Sequence, residues 1–223
     1  MKKYQPYGDT ALLVTFGNQV SEGLHLEVQF FLRALEEKKI EGVLECFAAY
    51  STVTIVYDFL KISYSELVSQ LEHLEVAKVI VGAPKIVRIP VCYHAHFSWD
   101  MDEVMKQTVL TKTQVVKLHT TPIYLVYMLG FTPGFFYLGG LDDKLRCSRK
   151  ENPRLRMEEG AVGIAGMQTG VYSVSSPGGW QIIGKTPVSV FDKKDQKNPF
   201  LVKPGDCVQF YEISWEEYKK MQR

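Results

Sequence analysis

Apolar residues follow two different spacing rules along this chain, and the change falls near Val91. Before it, strand-like and helix-like runs alternate. Thr10 to Phe16 ("TALLVTF") is a compact apolar run after a Gly-Asp turn signal, which predicts a strand. "SEGLHLEVQFFLRALEEK" then sets Leu24, Val28, Phe31, Leu32 and Leu35 on one side of a helix, with Ser21 placed to cap it. "GVLECFAAY" and "TVTIVYD" are β-rich, the second alternating Val53, Ile55 and Tyr57 against Thr54, Val56 and Asp58. "SYSELVSQLEHL" returns to helical period through Leu67, Leu71 and Leu74, capped by Ser63 or Ser65, and "KIVRIPV" closes as a strand. The order β-α-β-β-α-β predicts a ferredoxin-like split βαβ domain over residues 1–90, an antiparallel sheet with two helices on one face. Such a fold specifies no function by itself.

After Val91 two short helices are expected, "WDMDEVMKQTV" and "TKTQVVKLH", the second stopped by Pro122. His119, at the end of that helix, reads as a residue interacting with the helix C-terminus, with a catalytic base as the alternative. From Ile123 onward, short β-rich runs ("IYLVYMLGF", "GVYSVSS", "WQIIG", "PVSVF", "DCVQFYEI") are separated by turns such as "TPGF", "GGLDD", "EEGAVG", "SSPGG" and "KPGD". Eleven of the 17 glycines lie between Gly130 and Gly184. Short strands with Gly/Pro turns predict a closed or nearly closed β-barrel over residues 91–223, ending in a helical "SWEEYKKMQR". The fold class expected is therefore α+β, a small α+β domain followed by a mainly β barrel domain.

Composition adds exclusions. With 26 Lys and Arg against 25 acids, the chain has no charge excess suited to nucleic acid. Four cysteines lie far apart, and no C-x-x-C suggests a zinc ribbon or a redox site. No apolar run approaches the ~20 residues of a membrane span, and the N-terminus lacks the apolar stretch of a signal peptide. The expectation is a cytoplasmic protein that engages neither membrane nor nucleic acid.

One motif invites a sharper reading. "GGWQIIGKTP" matches G-x-x-x-x-G-K-[ST] through Gly179, Gly184, Lys185 and Thr186. A working phosphate loop joins a strand to a helix. Here the variable positions, Trp180 to Ile183, read as a strand, and Pro187 followed by "VSVFD" continues no helix. The match is read as strand, turn and strand, with Lys185 at a loop tip, solvated or meeting an anion.

Dense glycines among aromatics point instead to close approach of backbone to a ligand or another chain. Three segments stand out: "GFTPGFFYLGGL", "GAVGIAGMQTGVY" and "SPGGWQIIGKTP". In this order and spacing, with "NPRLR" between the first two, they resemble the B subunit of the bacterial ATP-dependent 5-oxoprolinase. That family includes the KipI inhibitor of a sporulation sensor kinase and is often labelled allophanate hydrolase subunit 1. "YGDTALLVTFG" and "RIPVCY" extend the resemblance over nearly the whole chain.

The resemblance implies a cyclophilin-like barrel and an activity shared with 5-oxoprolinase subunits C and A: ATP-driven opening of 5-oxo-L-proline to L-glutamate, with Mg2+ as the counter-ion of ATP. No protein-bound metal is expected. Phosphorylating the lactam oxygen makes a leaving group, and the developing charges call for cations and preorganised amides. The catalytic candidates are Arg149, Arg154 and Lys185. Gln168, Thr169, Tyr137, Tyr172, Gly166 and Gly179 are candidates for binding substrate or nucleotide. The alternative for the tyrosines is packing in a barrel wall with hydroxyls at the rim.

Three departures from the family pattern stand out. Lys185 replaces the usual Arg, and Cys147-Ser148 replaces Thr-Pro. "CYHAHFSWD" stands where the family reads C-Y-G-G-E-[FY]-G-P-D, keeping only Asp100. His94 and His96 fall on one face of an extended segment, and two ligands are too few for a metal site. The competing function is a binding module that docks on a sensor histidine kinase. A carboxyltransferase piece of a urea-carboxylase-like system is a third, resting on the barrel alone.

Overall fold

The computed structural model describes residues 2–77 and 84–222, which divide into two compact units, Met1–Ala83 and Pro84–Arg223. The first unit runs β1 (Lys3–Pro6), β2 (Ala11–Thr15), α1 (Glu22–Lys38), β3 (Val43–Ala49), β4 (Thr52–Tyr57) and α2 (Tyr64–Glu72). Ser21 caps α1 by accepting from the Leu24 amide, and Ser63 with Glu66 forms a reciprocal capping box on α2. The helical period works as the sequence suggests. Val28, Phe31 and Leu35 of α1, with Leu67 and Leu71 of α2, bury themselves with Leu12, Val14, Val53 and Ile55 of the sheet.

The sheet itself departs from expectation. Its order is β1-β2-β4-β3, antiparallel throughout. The strand expected to complete a split βαβ unit, "KIVRIPV", is absent from it, and Lys3–Pro6 takes the place beside β2. That first strand escapes a reading of apolar pattern because "KYQP" is short, polar and carries a proline, which an edge strand tolerates.

The second unit runs β5 (Ile86–Val91), α3 (Met101–Thr108), α4 (Lys112–Thr120), β6 (Tyr124–Leu129), β7 (Phe136–Gly139), β8 (Arg154–Met157), β9 (Ala161–Ala165), β10 (Gln168–Val171), β11 (Ser176–Gly178), β12 (Gln181–Lys185), β13 (Cys207–Glu212) and α5 (Trp215–Met221). Seven strands form one sheet, β12-β9-β10-β7-β6-β13-β5. Thus "KIVRIPV" is β5, parallel to β13, and the units part at Ala83/Pro84 rather than at 90/91. Just beyond β5, Cys92 exchanges two backbone hydrogen bonds with Lys185 of β12, at 2.9 and 3.0 Å. This bridge joins the two ends of the sheet into a nearly closed barrel.

Strand alternation sorts side chains between two cores. Phe136, Leu138, Val162, Ile164, Val171 and Ile183 belong to the core that fills the barrel. Their neighbours Phe135, Ala161, Ala165, Tyr172 and Ile182 face the other way and form a second cluster with Trp180, and Met157 of the β8–β11 ribbon joins it. The glycines of "GAVGIAG" suggest a turn, yet the segment contains β9. Gly163 and Gly170 pair across β9 and β10 for a packing reason: a Cβ on Gly163 would lie 3.1 Å from the Trp180 Cβ, and one on Gly170 only 2.7 Å from the Phe136 carbonyl oxygen. "PVSVF", expected as a strand, supplies only the isolated bridge Phe191–Phe200. Its start is turned away by Thr186, whose hydroxyl accepts from the Val188 amide at 3.1 Å.

Candidate functional site

The second cluster does not close over itself. It borders an open cavity of about 260 Å³, walled by Phe131, Phe135, Tyr137, Tyr172 and Trp180, with Arg149, Pro153 and the Pro177–Gly179 backbone completing the lining. The rings hold one another edge-on: Phe135 meets Trp180 at 5.5 Å and 86°, and Tyr137 at 4.8 Å and 64°. Gly178 is required here, since a Cβ would sit 2.2 Å from the Tyr172 hydroxyl oxygen. Burial raises the Tyr172 pKa, opposed by a hydrogen bond from the Trp180 backbone and by the charges of Arg149 and Arg154. Burial raises Tyr137 as well, again opposed by Arg149. The Arg149 guanidinium is therefore close enough to influence both hydroxyls.

The three cations named from the sequence have different circumstances. Arg149 is exposed on the cavity rim and belongs to none of the four ion pairs found among the described residues. Arg154 spends its planar fork on Asp100, donating from Nη1 to Oδ2 and from Nη2 to Oδ1, both at 2.7 Å. Lys185 pairs with Glu158 and lies over the Phe97 ring, 5.5 Å from its centroid. It does not line the cavity.

Asp100, which the sequence marked only as the acid that remained, is the most heavily bonded carboxylate in this region. It is 4% exposed. Besides the Arg154 fork it accepts from Lys150 Nζ at 2.9 Å and from the Ile182 amide at 2.8 Å. Burial works against its charge, but the hydrogen bonds from Arg154, Ile182 and Lys150 outweigh burial and hold its pKa below the ordinary value.

Of the six expected binding residues, Tyr137, Tyr172 and Gly179 line the cavity. Gln168 is half-buried at the start of β10, opposite Ala165. Gly166 lies in the exposed β9–β10 turn with φ of 59°, and its amide donates to the Cys147 carbonyl at 2.7 Å. Thr169 faces the barrel interior and is wholly buried. Its hydroxyl donates to the Gly163 carbonyl at 3.0 Å and lies 2.8 Å from His119 Nε2.

His119 corrects the helix-terminus reading. Its ring is fully buried, stacked on Phe210 at 4.6 Å and 2.7 Å from the Tyr93 hydroxyl through Nδ1. Because Thr169 gives its proton to Gly163, it accepts from His119 Nε2–H, and Nδ1 accepts from Tyr93. Burial lowers the histidine pKa to about 3, so the ring is neutral at physiological pH.

The "HAHFSW" segment packs on α5. His94 and His96 meet the Trp215 ring at 5.0 and 5.3 Å, and Phe97 is buried against Tyr218 at 4.4 Å. Among the described residues no group of three or more His, Cys, Asp or Glu is placed to hold a metal ion, and no helix is long and apolar enough to cross a membrane. The phosphate-loop pattern lies on β12, whose Lys185 amide is bonded to Cys92, while the Thr186 amide is bonded to Gly160. Those amides form no cradle for a triphosphate.

These features define a mixed α+β protein whose second unit is a nearly closed barrel with a ring-lined cavity on its outer face. Residues 2–202 match the model of the carboxyltransferase domain, subdomain C and D, and the chain belongs to that family. It is 39% identical over 224 residues to the 5-oxoprolinase B subunit of Bacillus subtilis (strain 168), covering 95% of this chain and 92% of that protein. A conserved uncharacterized protein of known structure from Pyrococcus horikoshii is 41% identical over 97% of this chain and all of its own, with a TM-score of 0.58. The crystal structure of TTHA0988 superposes with a TM-score of 0.79 at 36% identity over 91% of this chain, which spans 40% of that longer protein.

Proposed function

We propose that this chain is the B-type subunit of an ATP-dependent 5-oxoprolinase and that its barrel cavity holds the lactam. The observation that carries the reading is the pairing of a ring-lined cavity with one guanidinium that no acid neutralises among the described residues. 5-Oxoproline is a five-membered lactam with a single carboxylate. It offers a flat face for Tyr137, Phe135 and Trp180 and one anion for a bidentate arginine. Loop 149–154 adds Lys150 and Arg154 against the single buried acid Asp100, so its local field favours an anion.

The relatives named as 5-oxoprolinase B subunits support the assignment of substrate and of partner subunits C and A. ATP does not fit the residues of this chain. The Gly179–Thr186 stretch is committed to strand pairing, and the cavity is small for a nucleotide with its Mg2+. The nucleotide is therefore assigned to a partner subunit. This chain's share of the chemistry is to bind and orient the lactam, with Arg149 on the carboxylate and the rings excluding water. The test is reconstitution with the C and A subunits. Glutamate formation from 5-oxoproline should require ATP and this chain together; formation without this chain would refute the assignment.

A further inference from the structure

Arg149 has no ion-pair partner among the described residues to hold its place, yet its two chain neighbours are tightly fixed. Ser148 donates its amide to Gln107 Oε1 at 2.8 Å, and its carbonyl accepts from Gln181 Nε2 at 3.0 Å. Lys150 donates its amide to the Gly179 carbonyl at 2.8 Å and its ammonium to Asp100 at 2.9 Å. Four residues further on, Arg154 grips both oxygens of the same carboxylate. Asp100 is in turn locked to β12 in both directions, accepting from the Ile182 amide at 2.8 Å and donating its own to the Ile182 carbonyl at 2.9 Å. One buried acid thus pins both ends of the 150–154 segment to the strand that follows Trp180.

We propose that Asp100 is a positioning residue: by clamping Lys150 and Arg154 to β12 it holds the intervening loop, and with it Arg149, at the rim of the cavity. This rests on the lactam reading of the cavity and deepens it. It also gives Arg154 a role other than gripping substrate, because its fork is already filled by a carboxylate of the chain itself. Two cations share one acid, so neutralising Asp100 leaves two partly buried positive charges without their partner. The loop then releases, and the rim cation is spread over many positions rather than one. Such a change weakens capture of the substrate carboxylate while leaving the chemistry on the distant carbonyl to the partner subunits.

Three variants test this, Asp100→Asn, Arg154→Lys and their combination, with Asp100→Glu as the conservative rescue. In the free chain, amide hydrogen exchange across residues 148–153 should speed up at least tenfold in Asp100→Asn, while exchange in β6 and β13 stays as in the wild type. In the reconstituted complex, KM for 5-oxoproline should rise about tenfold with kcat within a factor of three. The double variant should be no worse than Asp100→Asn, since both residues act through one clamp. Asp100→Glu should recover part of the loss. Unchanged exchange in folded Asp100→Asn, or additive losses in the double variant, would overturn the proposal. Should Asp100→Asn fail to fold, Arg154→Lys and Lys150→Met carry the same test. An inactive wild-type complex would remove the lactam reading, while the exchange measurement still decides whether Asp100 holds the loop.

Discussion

Lowering the pH should weaken the barrel through one residue, His119. In the folded chain its pKa is about 3, against 6.5 for the free side chain, because the ring is buried without a charge partner. Between those values the unfolded chain binds a proton that the folded chain refuses. The stabilisation is therefore complete above about pH 6.5 and is lost as pH falls from there towards 3. At pH 5 the unfolded state has gained about 1.5 pH units of protonation, and at about 1.4 kcal/mol per unit the loss is about 2 kcal/mol. For a unit of this size that is a fall of roughly 6–8 °C in Tm. All three tryptophans, Trp99, Trp180 and Trp215, lie in the second unit, so tryptophan fluorescence reports on it alone. His25, lowered to about 4 by burial, lies in the first unit and does not enter that signal. Thermal melts followed by tryptophan emission at pH 7.5, 6 and 5 should show the drop. His119→Gln, which keeps a donor and an acceptor but does not titrate, should flatten it. Equal slopes in the two proteins would refute the argument that a neutral buried ring is the source.

Two further expectations follow from packing and burial. Gly170→Ala places a Cβ 2.7 Å from the Phe136 carbonyl and 3.3 Å from the Trp180 ring, so urea denaturation should show a loss of about 1–3 kcal/mol and a shifted tryptophan spectrum. Burial pushes the Cys147 thiol up to about 12, so a disulfide reagent at pH 8 should label it in native protein no faster than the barrel opens, and rapidly in urea.

Much of this architecture is legible in the chain, and the parts that are not have physical reasons. Helices with clear caps, at Ser21 and Ser63, lie where periodicity places them. The segment Ile86–Val91 reads correctly as a strand but joins a different sheet from the one expected, because local pattern says nothing about which distant strand completes a pairing. β9 is hidden by its glycines, which look like a turn in sequence and prove to be the floor beneath Trp180. At the site, Arg149, Tyr137, Tyr172 and Gly179 stand out together in the sequence and do surround one cavity. Arg154 and Lys185 are legible as cations but not as cations already answered by Asp100 and Glu158, acids distant in sequence. Thr169 and His119 mislead for a related reason. Polar residues at a strand or helix end look available until the partners that bury them, Gly163 and Tyr93, are in place.

The central claim is that Arg149 takes the carboxylate of a small lactam in the ring-lined cavity. The most direct measurement is the steady-state kinetics of the reconstituted complex with Arg149→Ala, and with Arg149→Lys beside it. A lost charged hydrogen-bonding partner costs about 1.5–3 kcal/mol, so KM for 5-oxoproline should rise roughly 10- to 150-fold in Arg149→Ala. Arg149→Lys should recover only part, since it keeps the charge and loses the fork. Wild-type kcat and KM in Arg149→Ala, in a complex that assembles normally, would contradict the account and turn attention to the binding-module reading for this chain.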